Sequence, residues 1–107
     1  MAGKAMLVRK LQSRDWAGDA RLYRLEPPLR DERSHEHSIY EYVVVSAVTV
    51  AYSGPETYVF GVNEQGEVLN RIEQEGSYRG GLDHAEALRR AGYEVEVEDG
   101  RYEKRAQ

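Results

Sequence analysis

Three histidines are the residues whose types and spacing could bind a metal ion. His35 and His37 are separated by one residue, so in an extended segment both imidazoles would share a face. His84 follows Asp83 at the start of a predicted helix and could supply a third ligand. The alternative is two solvated histidines in a charged loop and one in the first helical turn. Because no zinc motif such as HExxH is present, we expect neither a metal site nor a cofactor.

The segment GSYRGG at residues 76–81 leads into the same predicted helix and could bind an anion. Backbone amides at a helix N-terminus attract negative charge, Arg79 could pair with a phosphate, and Ser77 and Tyr78 carry hydroxyl groups. Asp83 opposes this hypothesis, because an acidic N-cap would occupy those amides and repel an anion. The segment matches no phosphate-binding motif, and its glycines equally suit left-handed turns. In that case Arg79 would pair with Asp83 or with a glutamate on a strand.

Aromatic residues indicate a different function, contact with another protein. The chain has eight tyrosines, and Tyr40, Tyr42, Tyr52 and Tyr58 are expected at neighbouring positions on two paired strands. If that sheet face is exposed, it is an aromatic surface of the kind that protein interfaces favour. If a helix covers it, the same rings belong to the core. Trp16 lies in a loop with glycine and aspartate, where it is either an exposed contact residue or a cap on the sheet.

Composition limits the class of protein. A chain of 107 residues predicts one small domain spanning residues 1–107. The absence of cysteine excludes a disulfide framework and a cysteine nucleophile. A net charge of -4 argues against a nucleic-acid partner. No apolar run reaches the roughly 20 residues of a membrane span, and the first residues lack a signal-peptide pattern, so we expect a cytoplasmic protein without a membrane partner.

The elements that must position these residues are mostly strands. Residues 39–52 are rich in β-branched and aromatic side chains and predict a long strand covered on both faces. Turns separate it from further strands at 57–62 and 67–73, so that residues 39–73 should form a three-stranded antiparallel meander.

The flanking segments complete the prediction. Upstream, weaker strands are expected at 5–12 and 20–26, the second stopped by Pro27-Pro28 and followed by an exposed loop to residue 38. Downstream, a capping box formed by Asp83 and Glu86 predicts a helix at 84–91 that stops at Gly92. A strand at 93–98 and a hairpin return at 101–103 follow. The expected fold is therefore α+β, an antiparallel sheet of about five to six strands with one short helix in the C-terminal half.

Residues 58–68 (YVFGVNEQGEV) and 76–95 (GSYRGGLDHAEALRRAGYEV) carry a resemblance. In these segments, and in its arginine-rich, cysteine-free composition, the chain resembles small uncharacterised proteins of actinobacteria and their phages. The resemblance implies a small accessory protein, one acting on a host component, and it assigns no catalytic residue.

These observations favour a small non-enzymatic binding or regulatory protein, phage-encoded if the resemblance holds. It would act by protein–protein contact through the tyrosine-rich sheet face or an edge strand, and a homodimer is one form of such contact. The alternative is a small enzyme, or a protein that binds a nucleotide or another small anion at the loop of residues 76–81.

Overall fold

The computed structural model describes residues 3–11, 16, 18–31, 38–69, 73–74 and 76–96. The strands are β1 (Gly3–Lys10), β2 (Asp19–Asp31), β3 (Ser38–Val50), β4 (Gly54–Val62), β5 (Tyr78–Arg79) and β6 (Tyr93–Glu96), and the helix α1 (His84–Arg90) precedes β6. The six strands form one sheet in the order β5-β4-β3-β2-β1-β6. The α+β prediction is therefore confirmed for the described residues, with six strands and one short helix.

The sheet is mixed, which corrects the purely antiparallel prediction. β6 runs parallel to β1, with Gly3 opposite Tyr93 and Met6 opposite Glu96. A parallel pair needs a crossover connection, and α1 provides it by carrying the chain from the β5 edge of the sheet to the β1 edge. Gly92 ends the helix with a φ of 102°, and its carbonyl accepts a 2.8 Å hydrogen bond from the Gly3 amide.

The central hairpin of β3 and β4 confirms the strongest sequence prediction. Their antiparallel ladder runs without interruption from Tyr42 opposite Val62 to Val50 opposite Gly54. Successive residues 43–47 are buried, as expected for a strand covered on both faces. The connecting turn occupies residues 51–53, so Tyr52 lies outside the strand in which it was predicted. It is fully exposed in the centre of the turn and has a φ of 73°.

The prediction of a third meander strand at 67–73 is wrong for the described residues. Val68 forms an isolated bridge to Val62, and the Leu69 amide donates to the Gly61 carbonyl at 2.9 Å. The chain curls here because the Asn63 side-chain oxygen accepts hydrogen bonds from the backbone amides at 65 and 67. Residues 70–72 lie outside the described part of the chain. The central unit is thus a two-stranded hairpin with a short bridged turn.

Instead of a full strand, separate hydrogen bonds from short pieces of chain cover the outer edge of β4. The Gln74 amide donates to the Val59 carbonyl at 2.7 Å, and the Val59 amide donates to the Ser77 hydroxyl at 2.8 Å. β5 then pairs with Glu56 and Thr57 further along the same strand. This stretch of the edge of β4 is therefore bonded to neighbouring chain.

The proline pair does not end β2, contrary to the prediction. The β2–β3 register shifts between Arg24 and Leu29, and pairing then resumes to the end of β2. The ladder omits Pro27 and Pro28, which have no amide proton to donate, and the strand continues beyond them. The Tyr93 hydroxyl donates to the Pro27 carbonyl at 2.6 Å. Leu29 is buried, so the predicted loop begins later than expected; residues 32–37 lie outside the described residues.

The two sheet faces carry separate apolar clusters. We call the face on which α1 packs the helix face; its cluster comprises Ala5, Tyr23, Leu25, Leu29, Tyr40, Val43, Val45, Val59, Ala87, Leu88 and Tyr93. We call the opposite side the open face; its cluster comprises Ala20, Leu22, Val44 and Val62, with Leu11, Trp16 and Tyr42 packed against it. The candidate site residues identified from the sequence are therefore divided between the two faces of the sheet.

Helix α1 begins where it was predicted to begin, but only one of the two hydrogen bonds of the predicted capping box forms. The Asp83 carboxylate accepts from the Glu86 amide at 3.0 Å, which confirms the N-cap. The Glu86 carboxylate binds Arg89 and Arg90 instead of the Asp83 amide, and that amide donates to Thr57 Oγ1 at 3.2 Å. Among the described residues, no helix has the length and apolarity that crossing a bilayer requires. The hairpin predicted around residues 99–100 lies outside the described residues.

Candidate functional site

His84 faces the core of the protein. Its side chain is buried, and Nε2 donates a 2.7 Å hydrogen bond to the Asp19 carbonyl. Burial lowers the pKa of His84, and the nearby Arg21 guanidinium lowers it further. His35 and His37 lie outside the described residues, and the described part of the chain contains no group of three potential metal ligands. The geometry of His84 therefore supports a structural role.

Two residues of the glycine-rich segment make contacts within the fold. The Ser77 hydroxyl donates to the Gln74 carbonyl at 2.9 Å while accepting from the amide of Val59. Tyr78 packs against the cluster of the helix face, and the Arg90 guanidinium lies 4.3 Å from the centre of its ring. Both side chains thus attach the segment to β4 and α1.

Arg79 pairs with a buried carboxylate. Its Nε lies 3.3 Å from Glu56 Oε2, and the side chain of Glu56 is only 3% exposed while that of Arg79 is 77% exposed. The two residues are directly opposite each other in the β4–β5 ladder. A charge of this kind is buried at a low cost only when a partner lies beside it. The geometry favours the interpretation of Arg79 as the partner of a strand glutamate.

Contrary to the sequence prediction, the aromatic residues do not all lie on one face of the sheet. Tyr40 is buried on the helix face, where its ring lies over Gly61, whereas Tyr42 packs on the open face. The alternation of β3 breaks between them, at the point where the β2 register shifts. Tyr40 is therefore a core residue, which removes it from the predicted aromatic surface.

The open face nevertheless has an aromatic half, over β3 and β4. Trp16 lies against Phe60 with ring centres 5.7 Å apart, and the ring centre of Tyr58 lies 6.0 Å from that of Phe60. Tyr42 packs on the same cluster as Trp16. These four aromatic side chains are half-buried, so part of each ring remains in contact with solvent.

The other half of the open face, over β6, β1 and β2, is charged. Lys4 Nζ lies 3.4 Å from Glu96 Oε2, and Arg24 Nη2 lies 3.5 Å from Glu26 Oε1. Glu94, opposite Lys4 in the ladder, is exposed as well. Surface ion pairs of this type contribute little to stability, and they keep this half hydrated. The aromatic and charged halves meet at β2.

The turn at residues 63–69 folds back over the middle of the open face. Its Gly66 is buried against the Leu11 side chain, and Arg9 Nη2 donates to the Gln65 carbonyl at 2.9 Å. Between this turn and the end of β1 lies a groove of about 580 Å³. Trp16 and the exposed residues Arg9, Lys10 and Glu67 are among the residues that line the groove.

A second depression, of about 640 Å³, lies on the other side of the same turn. Tyr42 and the exposed apolar residues Ile39 and Leu69 line it, and Glu41 and Glu64 supply negative charge. Both depressions therefore share the turn at 63–69 as a wall. Two cations and the carboxylate of Glu67 line the first depression, and two carboxylates line the second.

Of the predicted contact residues, Trp16, Tyr42 and Tyr58 lie on the open face, and the sequence prediction did not include Arg9 and Lys10 beside them. The residues of the turn, Asn63 to Gly66, were visible as a turn in the sequence, but its folding over β1 depends on tertiary contacts. Half-buried rings beside charged depressions are suited to binding another molecule. Comparisons of the chain with protein-family models, with curated proteins and with solved structures find no match.

Proposed function

We propose that this protein is a small non-enzymatic binding or regulatory protein that acts by protein–protein contact through its open face. The observation that supports this most directly is the row of half-buried aromatic side chains of Trp16, Phe60 and Tyr58, with Tyr42 beside it. These rings lie on the side of the sheet opposite α1, where a partner has access to them.

Physical arguments favour a protein partner for such a surface. Tyrosine and tryptophan bury a large area with few rotatable bonds, and they are enriched among residues that dominate binding energy. The exposed apolar residues Ile39, Val68 and Leu69 extend the surface along the turn at 63–69. The charged half of the open face supplies the polar rim that protein interfaces have.

The face is a better candidate than an edge strand. Leu69, Gln74, Ser77 and β5 bond to the outer edge of β4. β6 carries the exposed carboxylates of Glu94 and Glu96. Charged side chains on an edge strand oppose the addition of a further strand. The alternative anion site at residues 76–81 has less support, because Ser77 and Arg79 already bind groups within the fold.

The proposal is tested with the same substitution, tyrosine to serine, at two different places in the fold. Tyr58→Ser removes an aromatic ring from the open face, and Tyr52→Ser removes a fully exposed ring from the tip of the β3–β4 hairpin. Each purified chain is immobilised, exposed to a bacterial lysate and also examined alone by sedimentation velocity. Circular dichroism melting establishes that each variant is folded.

We expect the unmodified chain and Tyr52→Ser to retain the same partner or to self-associate, and Tyr58→Ser to lose most of that binding. A hot-spot ring at an interface typically accounts for about 2 kcal/mol or more of binding energy. An unmodified chain that stays monomeric and retains no partner would contradict the proposed function. Equal binding by the two variants would move the interface away from the open face.

A further inference from the structure

The two depressions beside the turn at 63–69 have opposite charge. Arg9, Lys10 and Glu67 line the groove, so two cations outnumber one carboxylate there, and the Glu67 carboxylate accepts a 2.8 Å hydrogen bond from Asn63. Glu41 and Glu64 line the second depression, and no lysine or arginine lines it among the described residues. Opposite charges therefore flank one short segment of chain.

The C-terminal end of the segment between them exposes aliphatic side chains. Val68 is 43% exposed and Leu69 is 58% exposed, and Ile39 beside them is 55% exposed. Exposed aliphatic side chains of this kind gain free energy when another apolar surface covers them. An apolar centre with charges on both sides is the usual composition of a protein interface.

The basic groove and the acidic depression make this surface complementary in charge to the same surface on a second copy. In a two-fold symmetric dimer the same patch on both copies is used, so a residue that contacts a second residue is contacted by it in return. A two-fold axis through the turn at 63–69 would place the basic groove of one copy opposite the acidic depression of the other, twice. The apolar residues would then meet at the centre of the interface.

We propose that the partner at the open face is a second copy of this chain, docked with the Arg9–Lys10 groove against the depression that contains Glu41 and Glu64. This inference rests on the proposed function, since it names the partner that the open face binds. The proposal specifies two equivalent charged contacts per dimer. Its strength should fall as salt concentration rises, because added ions screen exposed charges.

The test uses charge reversal on the full chain, measured by sedimentation equilibrium. One variant, Arg9→Glu with Lys10→Glu, makes both depressions acidic; the other, Glu41→Lys with Glu64→Lys, makes both basic. Each variant alone should dissociate, with a dissociation constant raised roughly tenfold or more. An equimolar mixture should dimerise again, because both contacts are then complementary. Arg89→Glu with Arg90→Glu, on the helix, is the matched control and should leave the dimer intact.

The outcomes separate this inference from the proposed function. A monomeric unmodified chain that still retains a lysate partner through Tyr58 would overturn the second-copy proposal and leave the proposed function standing. A monomer that retains nothing would overturn both. If folded variants remain dimeric after either reversal, or if the mixture fails to restore association, the proposed pairing of the two depressions is wrong. Melting curves establish folding for each variant before these comparisons.

Discussion

His84 Nε2 donates a 2.7 Å hydrogen bond to the carbonyl oxygen of Asp19, which joins the first residue of α1 to the first residue of β2. Because a carbonyl oxygen can only accept, the proton of the neutral ring lies on Nε2. Among the described residues, the charged groups that act on the ring are the Arg21–Asp19 ion pair and the N-cap Asp83. The contact fixes the start of the helix to the sheet.

We expect the free energy of unfolding to fall in mild acid because of His84. Burial lowers its pKa in the folded protein below the ordinary value of 6.5. The unfolded chain therefore binds a proton more readily than the folded one. The stabilising contribution is fully present above pH 6.5 and is lost as pH falls from there through the lower folded pKa, by at most about 1.4 kcal/mol per pH unit.

Urea unfolding between about pH 5 and pH 8 measures this contribution. His84→Gln serves as the comparison, because glutamine keeps an N–H donor and does not titrate. The difference in stability between the two proteins should change with pH in that window. Parallel curves for the two proteins would contradict the assignment to His84.

Thr57→Val should lower the free energy of unfolding by about 2–3 kcal/mol. Thr57 is fully buried; its hydroxyl donates to the Gly81 carbonyl at 2.8 Å and accepts from the Asp83 amide at 3.2 Å. Valine has nearly the same shape, so packing is kept while two backbone groups lose their partner. Chemical denaturation measures the loss, and the exposed Thr49→Val provides the control, expected within about 0.5 kcal/mol of the unmodified chain.

Arg79→Ala should lower stability by about 1–2 kcal/mol. The guanidinium is largely exposed and screened by water, which reduces the effect, but its loss leaves the buried Glu56 carboxylate without this partner. A double-mutant cycle with Glu56→Gln isolates the pair, because Arg79→Ala should cost much less when the carboxylate is absent. Additive effects in thermal melting would show that the two side chains are not coupled.

Tyr52→Gly should raise the free energy of unfolding by about 1 kcal/mol. Tyr52 is fully exposed and adopts a φ of 73°, a conformation that glycine adopts without steric strain. The neighbouring Ser53 lacks a positive φ, so Ser53→Gly should destabilise the fold through backbone entropy. Opposite signs for these two changes, measured by urea denaturation, are the expected result. A destabilising Tyr52→Gly would mean that the ring stabilises the turn.

The parts of the fold that were predictable are those determined locally. The valines of β3 predict a buried strand because β-branched residues favour extended backbone, and Asp83 and Gly92 mark the ends of α1 through capping. The parallel pairing of β6 was not predictable in this way, since it depends on where α1 directs the chain. Neither was the extension of β2 beyond Pro27.

The candidate site was predictable in its residue types and not in its geometry. Alternation placed Tyr40 and Tyr42 together, but the register shift beside the prolines puts them on opposite faces. Arg79 was identified as exposed, while its pairing with Glu56 depends on β5 occupying the edge of the sheet. Arg9 entered the site only because the distant turn of Gln65 folds over β1.

The pairing of Gly3 with Tyr93 has a consequence for synthesis on the ribosome. β1 is made roughly ninety residues before β6, which corresponds to about 5–18 seconds at typical translation rates. During that interval the outer edge of β1 lacks the neighbour that it has in the finished sheet, and such edges pair readily with other chains. Lys4 lies within the stretch of β1 that β6 later covers. A lysine on an open strand edge opposes such pairing, so this side chain would guard the edge until β6 is made.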